Sequence, residues 1–290
     1  MQLRERQPCG AEYLDYVTLL LQRARLASPT RGVWEAADFQ WWWRRDQHGD
    51  PGRQFFWFDD GHPAAAVILT SWGDRFSCDL LSADNDLSRV LGTLGPVALG
   101  AVDALGDMPV EVTVRDDDTA MIDAVVASGF AATGEAGAGT WLPAADRPPV
   151  SPIPDGFRLA DRSDSRGTHH LVPRNGTQVA ERLAECSLYR RDLDLAVYAP
   201  DGQVAGYGLF WADPFTGVGL VEPMRTHDRY QGMGLARHVL TAGLNRLAAR
   251  GCSRLKVGYT FGNDASRRLY LGAGFRPEPP SRVYGRNSTA

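Results

Sequence analysis

Apolar positions along this chain follow two periods, one helical and one alternating, and the order in which they appear is repeated. In residues 11–26, Tyr13, Tyr16, Val17, Leu20 and Leu21 recur at helical spacing. A second helix is predicted from an N-cap at Asp38, carrying Phe39 and the run Trp41, Trp42, Trp43. Three consecutive tryptophans point to three faces of a helix, so they read either as packing aromatics or as an aromatic wall for a ligand or partner. Strands are predicted over 54–58 and 64–72 around the turn Asp59-Asp60-Gly61, and over 76–81. A helix over 86–105, a strand over 110–114, a helix over 119–128 and a last strand near 140–142 follow.

Residues 143–156 hold five prolines and read as a linker. Beyond it the order returns. A short strand over 157–160 and a helix over 177–188 come first, then strands over 193–198 and 204–211 flanking Pro200-Asp201-Gly202. A strand over 218–226, a helix over 234–250 closed by Gly251, a strand over 255–260, a helix over 264–271 and a strand near 282–286 complete the series. Asp60-Gly61 precedes Asp201-Gly202 by 141 residues, and Gly129-Phe130 precedes Gly274-Phe275 by 145. Near-equal offsets with matching elements between them predict an internal duplication, with α/β domains over 1–142 and 157–290.

Composition narrows the class. Hydrophobic content of 43% and charged content of 23% are those of a globular domain, and a net charge of −4 argues against nucleic acid as partner. Basic residues are almost all arginine, with Lys256 the single lysine. Cys9, Cys78, Cys186 and Cys252 lack paired spacing, so neither a zinc site nor a disulfide framework is expected. Free thiols, the absence of a signal-like N-terminus and apolar runs too short to span a bilayer point to the cytoplasm.

Candidate chemistry concentrates where the apolar run 218–224 passes through a polar bend into Gln231, Gly232, Met233, Gly234, Leu235 and Ala236. Small residues at Gly232, Gly234 and Ala236 let the main chain approach an anion, and the first N–H groups of a helix have no carbonyl partner within it. A phosphate-bearing ligand is the natural occupant. This segment resembles the acetyl-CoA motif Gln/Arg-x-x-Gly-x-Gly/Ala of the GNAT (GCN5-related N-acetyltransferase) family. Arg229 to Gly234 and Gln231 to Ala236 both fit it; the second register places Leu235 where the helix begins to pack. A second segment, Asn263-Asp-Ala-Ser-Arg-Arg-Leu-Tyr-Leu-Gly-Ala-Gly-Phe275, resembles the family's Asn-x-x-Ala-x-x-Leu-Tyr-x-x-x-Gly-Phe, with Ser266 in place of alanine.

The resemblance implies tandem GNAT-like domains, each a mixed, mostly antiparallel sheet flanked by helices. It implies an N-acetyltransferase with acetyl-CoA as co-substrate, direct attack by an amine in a ternary complex, and no metal. Met224 and Thr226 would pair through their backbone with the pantetheine arm, Asn263 would contact that arm, and residues 231–236 would hold the pyrophosphate. Tyr270 would protonate the departing thiolate; its alternative reading is a core aromatic. Glu222, on the strand face of Met224 and Thr226, is the candidate general base, or else a structural carboxylate. The first half lacks these features: Leu81-Ser-Ala-Asp-Asn-Asp-Leu87 has no glycine, Val125 matches Tyr270 and Asp118 matches Asn263. It reads as a degenerate repeat without a cofactor site. The acceptor, a small-molecule or peptide amine, would be bound around 177–192 and the facing first half, which would complete the fold and wall the acceptor cleft. Two other classes stay open: a non-catalytic acyl-CoA-binding module, and an interaction protein using Trp41, Trp42 and Trp43 as its surface.

Overall fold

The alternation read along the chain becomes sheet in a computed structural model that describes residues 4–45, 52–84, 86–87, 90–163 and 167–286. Elements follow in the order β1 (Arg4–Arg6), α1 (Gly10–Ala27), α2 (Ala36–Trp42), β2 (Gln54–Asp59), β3 (His62–Ser71), β4 (Phe76–Ser82), α3 (Leu91–Asp103), β5 (Val110–Arg115), α4 (Thr119–Ala127) and β6 (Ala131–Pro143). Then come β7 (Arg158–Asp161), α5 (Val172–Asn175), α6 (Val179–Ala184), β8 (Asp194–Tyr198), β9 (Val204–Asp213), β10 (Val218–Thr226), α7 (Leu235–Ala249), β11 (Arg254–Thr260), α8 (Asp264–Gly272), β12 (Arg276–Pro277) and β13 (Ser281–Arg286). Among the described residues no helix is long and apolar enough to cross a membrane.

The contacts divide the chain into two compact units, Met1–Ala138 with Pro279–Ala290, and Gly139–Glu278. The boundaries differ from those expected at 142 and 157. The chain's last strand, β13, belongs to the first unit, where it pairs antiparallel with both β5 and β6 and puts Tyr284 into that unit's core. In return, residues from Gly139 onward lie in the second unit, where Leu142 and Ala144 join the core. The supposed linker is tied down there as well. Ala144 N–H donates to the Ser253 carbonyl, Ser151 N–H donates to Thr241 Oγ1, and the Ser151 carbonyl meets His238 Nδ1 at 2.6 Å. Proline-rich composition marks a segment that cannot be helix or inner strand, and such a segment serves as readily for a bound strap as for a free linker.

In the first unit β1 to β4 form an antiparallel meander, β4 runs parallel to β5, and β13 and β6 complete the sheet. The β2–β3 turn uses positive φ at both Asp60 (47°) and Gly61 (78°), which Asp and Gly accommodate. β6 is much longer than the strand expected at 140–142; Ala131–Gly139, small residues apart from Glu135, shows no apolar alternation that would predict it. Asp38 is not the N-cap of α2 but its N3 residue: Glu35 caps the helix and the two side chains satisfy each other's backbone N–H. Trp41 and Trp43 are buried, and Trp42 packs edge-on against Trp34 and Trp72 within the same unit.

The second unit repeats the plan. β7, β8, β9 and β10 are antiparallel neighbours, β10 is parallel to β11, and β6 lies beyond β11. The helix expected over 177–188 is shorter and is preceded by α5, which Gly176 (φ 83°) ends. α7 covers one sheet face, on which Leu195, Val197, Phe210 and Val221 meet Val239, Leu240, Leu244 and Leu247. Helix and sheet approach closely at Gly243, whose missing side chain leaves room for the ring of Phe210.

Candidate active site

β10 and β11 start as partners and then separate. Val218, Gly219 and Leu220 pair with Arg254, Leu255 and Lys256, and the shared register stops there. On its other edge β10 stays paired with β9 to its end, with a bulge between Val221 and Met224 and a cis peptide between Glu222 and Pro223. Beyond Leu220 β10 therefore runs without β11 as its strand partner, and an edge opened in this way is one to which an extended ligand adds by main-chain hydrogen bonds. Met224 and Thr226 lie on this stretch and both are half-buried. Trp211 Nε1 donates to the Glu222 carbonyl at 2.7 Å, which anchors the bulge from β9.

The polar bend after β10 makes a 3-10 turn over Asp228–Tyr230, and Gln231 Nε2 donates to Asp228 Oδ1. Gly232 (φ 76°) and Gly234 (φ 82°) both adopt the left-handed region, and an added Cβ at either would meet no atom within 4 Å. Glycine is required here by backbone geometry and not by close packing within the protein. Gly234 caps α7 without a side-chain bond, so the first N–H groups of the helix, on Leu235 and Ala236, are left to an external acceptor. Residues Gln231 to Gly234 are exposed and Met233 is 44% accessible. Leu235 differs: its side chain is in the core, so only its main chain faces the turn. The residues present fit a pyrophosphate, since the turn is open, holds no carboxylate from 231 to 236, and ends on the positive end of a 15-residue helix.

Asn263 caps α8, its Oδ1 accepting from Ser266 N–H while Ser266 Oγ donates to the Asn263 carbonyl. Ser266 thus reinforces the start of the helix. Tyr270, two turns on, is 7% exposed and packs edge-on against Phe275. Burial, with the charge of Glu222 second, pushes its phenol pKa well above the usual tyrosine range. The structure thus brings Tyr270 of α8 and Glu222 of β10 within electrostatic reach of one another.

The first unit has the same cap and the same parting strands but different chemistry. Asp118 Oδ1 accepts from Met121 N–H as Asn263 does from Ser266, and Val125 is buried where the other unit has Tyr270. β4 and β5 pair only at Phe76–Val110 and Ser77–Glu111. α3 begins without a glycine turn, and Asp84 accepts the Asp86 N–H instead of leaving it to a ligand.

One polar cluster has no signal in the sequence beyond a His-His pair. Asp194, at the start of β8, is fully buried; His169 Nε2 and His170 Nε2 stand 2.9 and 3.0 Å from its two oxygens, and Tyr189 donates to Oδ2 at 2.7 Å. Burial acts to raise the Asp194 pKa, but the two histidines outweigh it and hold the carboxyl well below the usual range. The three side chains bring their donor atoms within 4.8 Å of one another. The Leu171 N–H donates to His169 Nδ1 at 3.2 Å, and His169 Nε2 faces the Asp194 carboxylate at 2.9 Å. The cluster fastens the segment before α5 to the sheet.

Comparison with known proteins agrees with this geometry. Residues 161–275 match the model of the acetyltransferase (GNAT) family. No curated protein matches the chain. Among solved structures, the chain is similar to a tandem GNAT protein from the clavulanic acid biosynthesis pathway, with TM-score 0.69, 16% identity, and coverage of 100% of this chain and 99% of that one. It is also similar to a GCN5-related N-acetyltransferase from Sphaerobacter thermophilus, with TM-score 0.67, 14% identity and coverage of 99% and 96%. A GNAT-family acetyltransferase from Colwellia psychrerythraea aligns with TM-score 0.59 at 11% identity over 99% of this chain and 100% of that one. At these identities the likeness speaks for the fold. Residues 161–275 thus match the GNAT acetyltransferase family model, in a chain whose full-length fold is similar to that of solved tandem GNAT structures.

Proposed function

We propose that the second unit transfers an acetyl group from acetyl-CoA to an amine by direct attack. The observation that carries this reading is the open glycine turn at the start of α7 beside the edge where β10 parts from β11, with the charge of Glu222 acting on Tyr270. Acetyl-CoA supplies an activated thioester. The turn over Gln231 to Ala236 holds its pyrophosphate, the Met224–Thr226 edge aligns its pantetheine arm, and Asn263 contacts that arm with the amide Nδ2. Glu222 accepts a proton from the substrate ammonium, directly or through water, and so creates the nucleophilic amine. Edge N–H groups of β10 stabilise negative charge on the carbonyl oxygen as the carbon–nitrogen bond forms. Tyr270 then gives its proton to the sulfur as the carbon–sulfur bond breaks, and the surplus proton on the acylated nitrogen returns, directly or through water, to the phenolate. Its raised pKa keeps it protonated until that step, and neutralisation of Glu222 by the substrate proton removes the charge that opposed its ionisation.

Release of CoA thiol with acetyl-CoA and pooled amines tests the reading. Tyr270→Phe is expected to lower kcat by about 10²- to 10⁴-fold while leaving acetyl-CoA binding unchanged. Unaltered turnover removes Tyr270 from the acid role. Absence of calorimetric binding at millimolar acetyl-CoA ends the enzyme reading itself.

A further inference from the structure

Asp79, in the first unit, is a buried carboxylate without a counter-ion. It is 4% exposed, and its two oxygens accept from Trp34 Nε1 at 2.8 Å and Ser77 Oγ at 3.2 Å, both neutral donors. No arginine or lysine among the described residues pairs with it. Burial pushes its pKa up to about 6, although both hydrogen bonds act to lower it. A buried carboxylate is ordinarily matched by a cation, because an unpaired charge in an apolar setting is costly.

Beside Asp79 the structure leaves space. β4 and β5 part after two residue pairs, and the gap opens into a cavity of about 70 Å³. Asp79 forms part of its wall, Val33, Leu80, Val112, Val114 and Met121 supply apolar lining, and Arg31 and Arg115 also border it, Arg115 being held by Asp117. The other acids along the wall are already engaged: Asp117 with Arg115 through two contacts of 2.9 Å, and Asp118 as the cap of α4. Asp79 alone among them is buried and accepts only from neutral donors. Next to the buried Asp79 an anionic ligand is disfavoured, and the guanidinium of Arg115 is already taken up by Asp117. A strongly hydrated metal ion is poorly matched, since one carboxylate in an apolar wall replaces little of its water. An organic cation with a short alkyl body meets both features.

We propose that this cleft of the first unit binds a small primary alkylammonium ion, whose charged head pairs with Asp79 and whose alkyl body lies against Val33, Val114 and Met121. The volume limits the guest. A water needs about 10–15 Å³ of such space, so the cavity takes only a few heavy atoms, the ammonium head and a short alkyl body, with a longer chain reaching toward the mouth. The site is separate from acetyl transfer in the second unit and does not depend on it. It also gives a degenerate repeat, which lacks the glycine turn and the tyrosine, a ligand of its own.

Titration of the full chain with n-propylammonium, followed by calorimetry and by the Trp34 indole N–H resonance, tests this. The Trp34 signal is assigned by its loss in Trp34→Phe. Saturable binding that shifts the Trp34 resonance is expected, with n-propanol, which has the same body without the charge, leaving it unmoved. Asp79→Asn is expected to weaken binding at least tenfold. Should that variant fail to fold, Met121→Trp fills the cavity from α4 without touching Asp79 and is expected to abolish binding. Glu222→Gln separates this site from an amine site in the second unit and is expected to leave the Trp34 shift intact. No saturable binding at 20 mM (on the order of the weakest useful affinity) overturns the proposal. So does binding that leaves Trp34 unmoved, persists in Asp79→Asn, or disappears in Glu222→Gln.

Discussion

Replacing Gly243 by alanine tests how closely α7 must approach the sheet. In an open helical position the change is favourable: alanine exceeds glycine by about 1 kcal/mol in helix propensity. At Gly243 an added Cβ would lie 2.0 Å from Phe210 Cζ and 2.1 Å from Cε1, against the roughly 3.5–4.0 Å of an ordinary carbon contact. Phe210 is fully buried, and its ring already crowds Gly208, where a Cβ would meet Cε2 at 2.9 Å. Either the ring or the helix must therefore retreat by about 1.5 Å. Overpacking of this kind costs about 1–3 kcal/mol, so the net effect is expected to be a loss of up to about 2 kcal/mol once the propensity gain of about 1 kcal/mol is subtracted. Urea unfolding beside Gly100→Ala supplies the contrast. That site lies in α3 with nothing within 4 Å, and its substitution should stabilise. Hydrogen exchange of the α7 and β9 amides keeps the readout on the second unit. Phe210→Leu placed in the Gly243→Ala chain should recover stability, giving a coupling of at least about 1 kcal/mol. If Gly243→Ala stabilises as much as Gly100→Ala, the close approach of helix and sheet is refuted. Because α7 starts at the glycine turn, the displaced helix should also bind acetyl-CoA more weakly.

Two further outcomes follow from the same geometry. Gly234→Ala places a side chain at φ 82° in the turn before α7, and should cost roughly 1–2 kcal/mol of stability and weaken acetyl-CoA binding measured by calorimetry; unchanged affinity would detach this turn from the ligand. Asp194, held below its unfolded pKa near ~3.9, stabilises the folded state above that pH and loses the contribution as pH falls through its folded value. Asp194→Asn should therefore lower stability at pH 7 and flatten the acid limb of a stability–pH curve, and an unchanged limb would count against the His169–Asp194–His170 cluster as its cause.

The local elements of the site could be read from sequence because each has a local cause. Gly232 and Gly234 meet a backbone demand, Asn263 caps the helix that it begins, and the strand before the turn carries its own alternation. Misreadings also have local causes. Asp38 resembles an N-cap because Ser, Thr, Asp and Asn usually fill that position, whereas here Glu35 caps and also binds Arg25. The small residues of Ala131–Gly139 hid a strand whose reason to exist is its partner.

The sequence by itself determined that two similar α/β halves exist and that only the second carries a glycine turn joined to Asn263 and Tyr270. Tertiary structure decided which half each end of the chain completes, because strand pairing depends on which edges meet and not on proximity along the chain. It alone set the parting of β10 from β11, the approach of Glu222 to Tyr270, and the burial of Asp79 and Asp194. A carboxylate shows no difference in sequence between solvent and core; its surroundings, assembled from distant segments, set its charge and its partners.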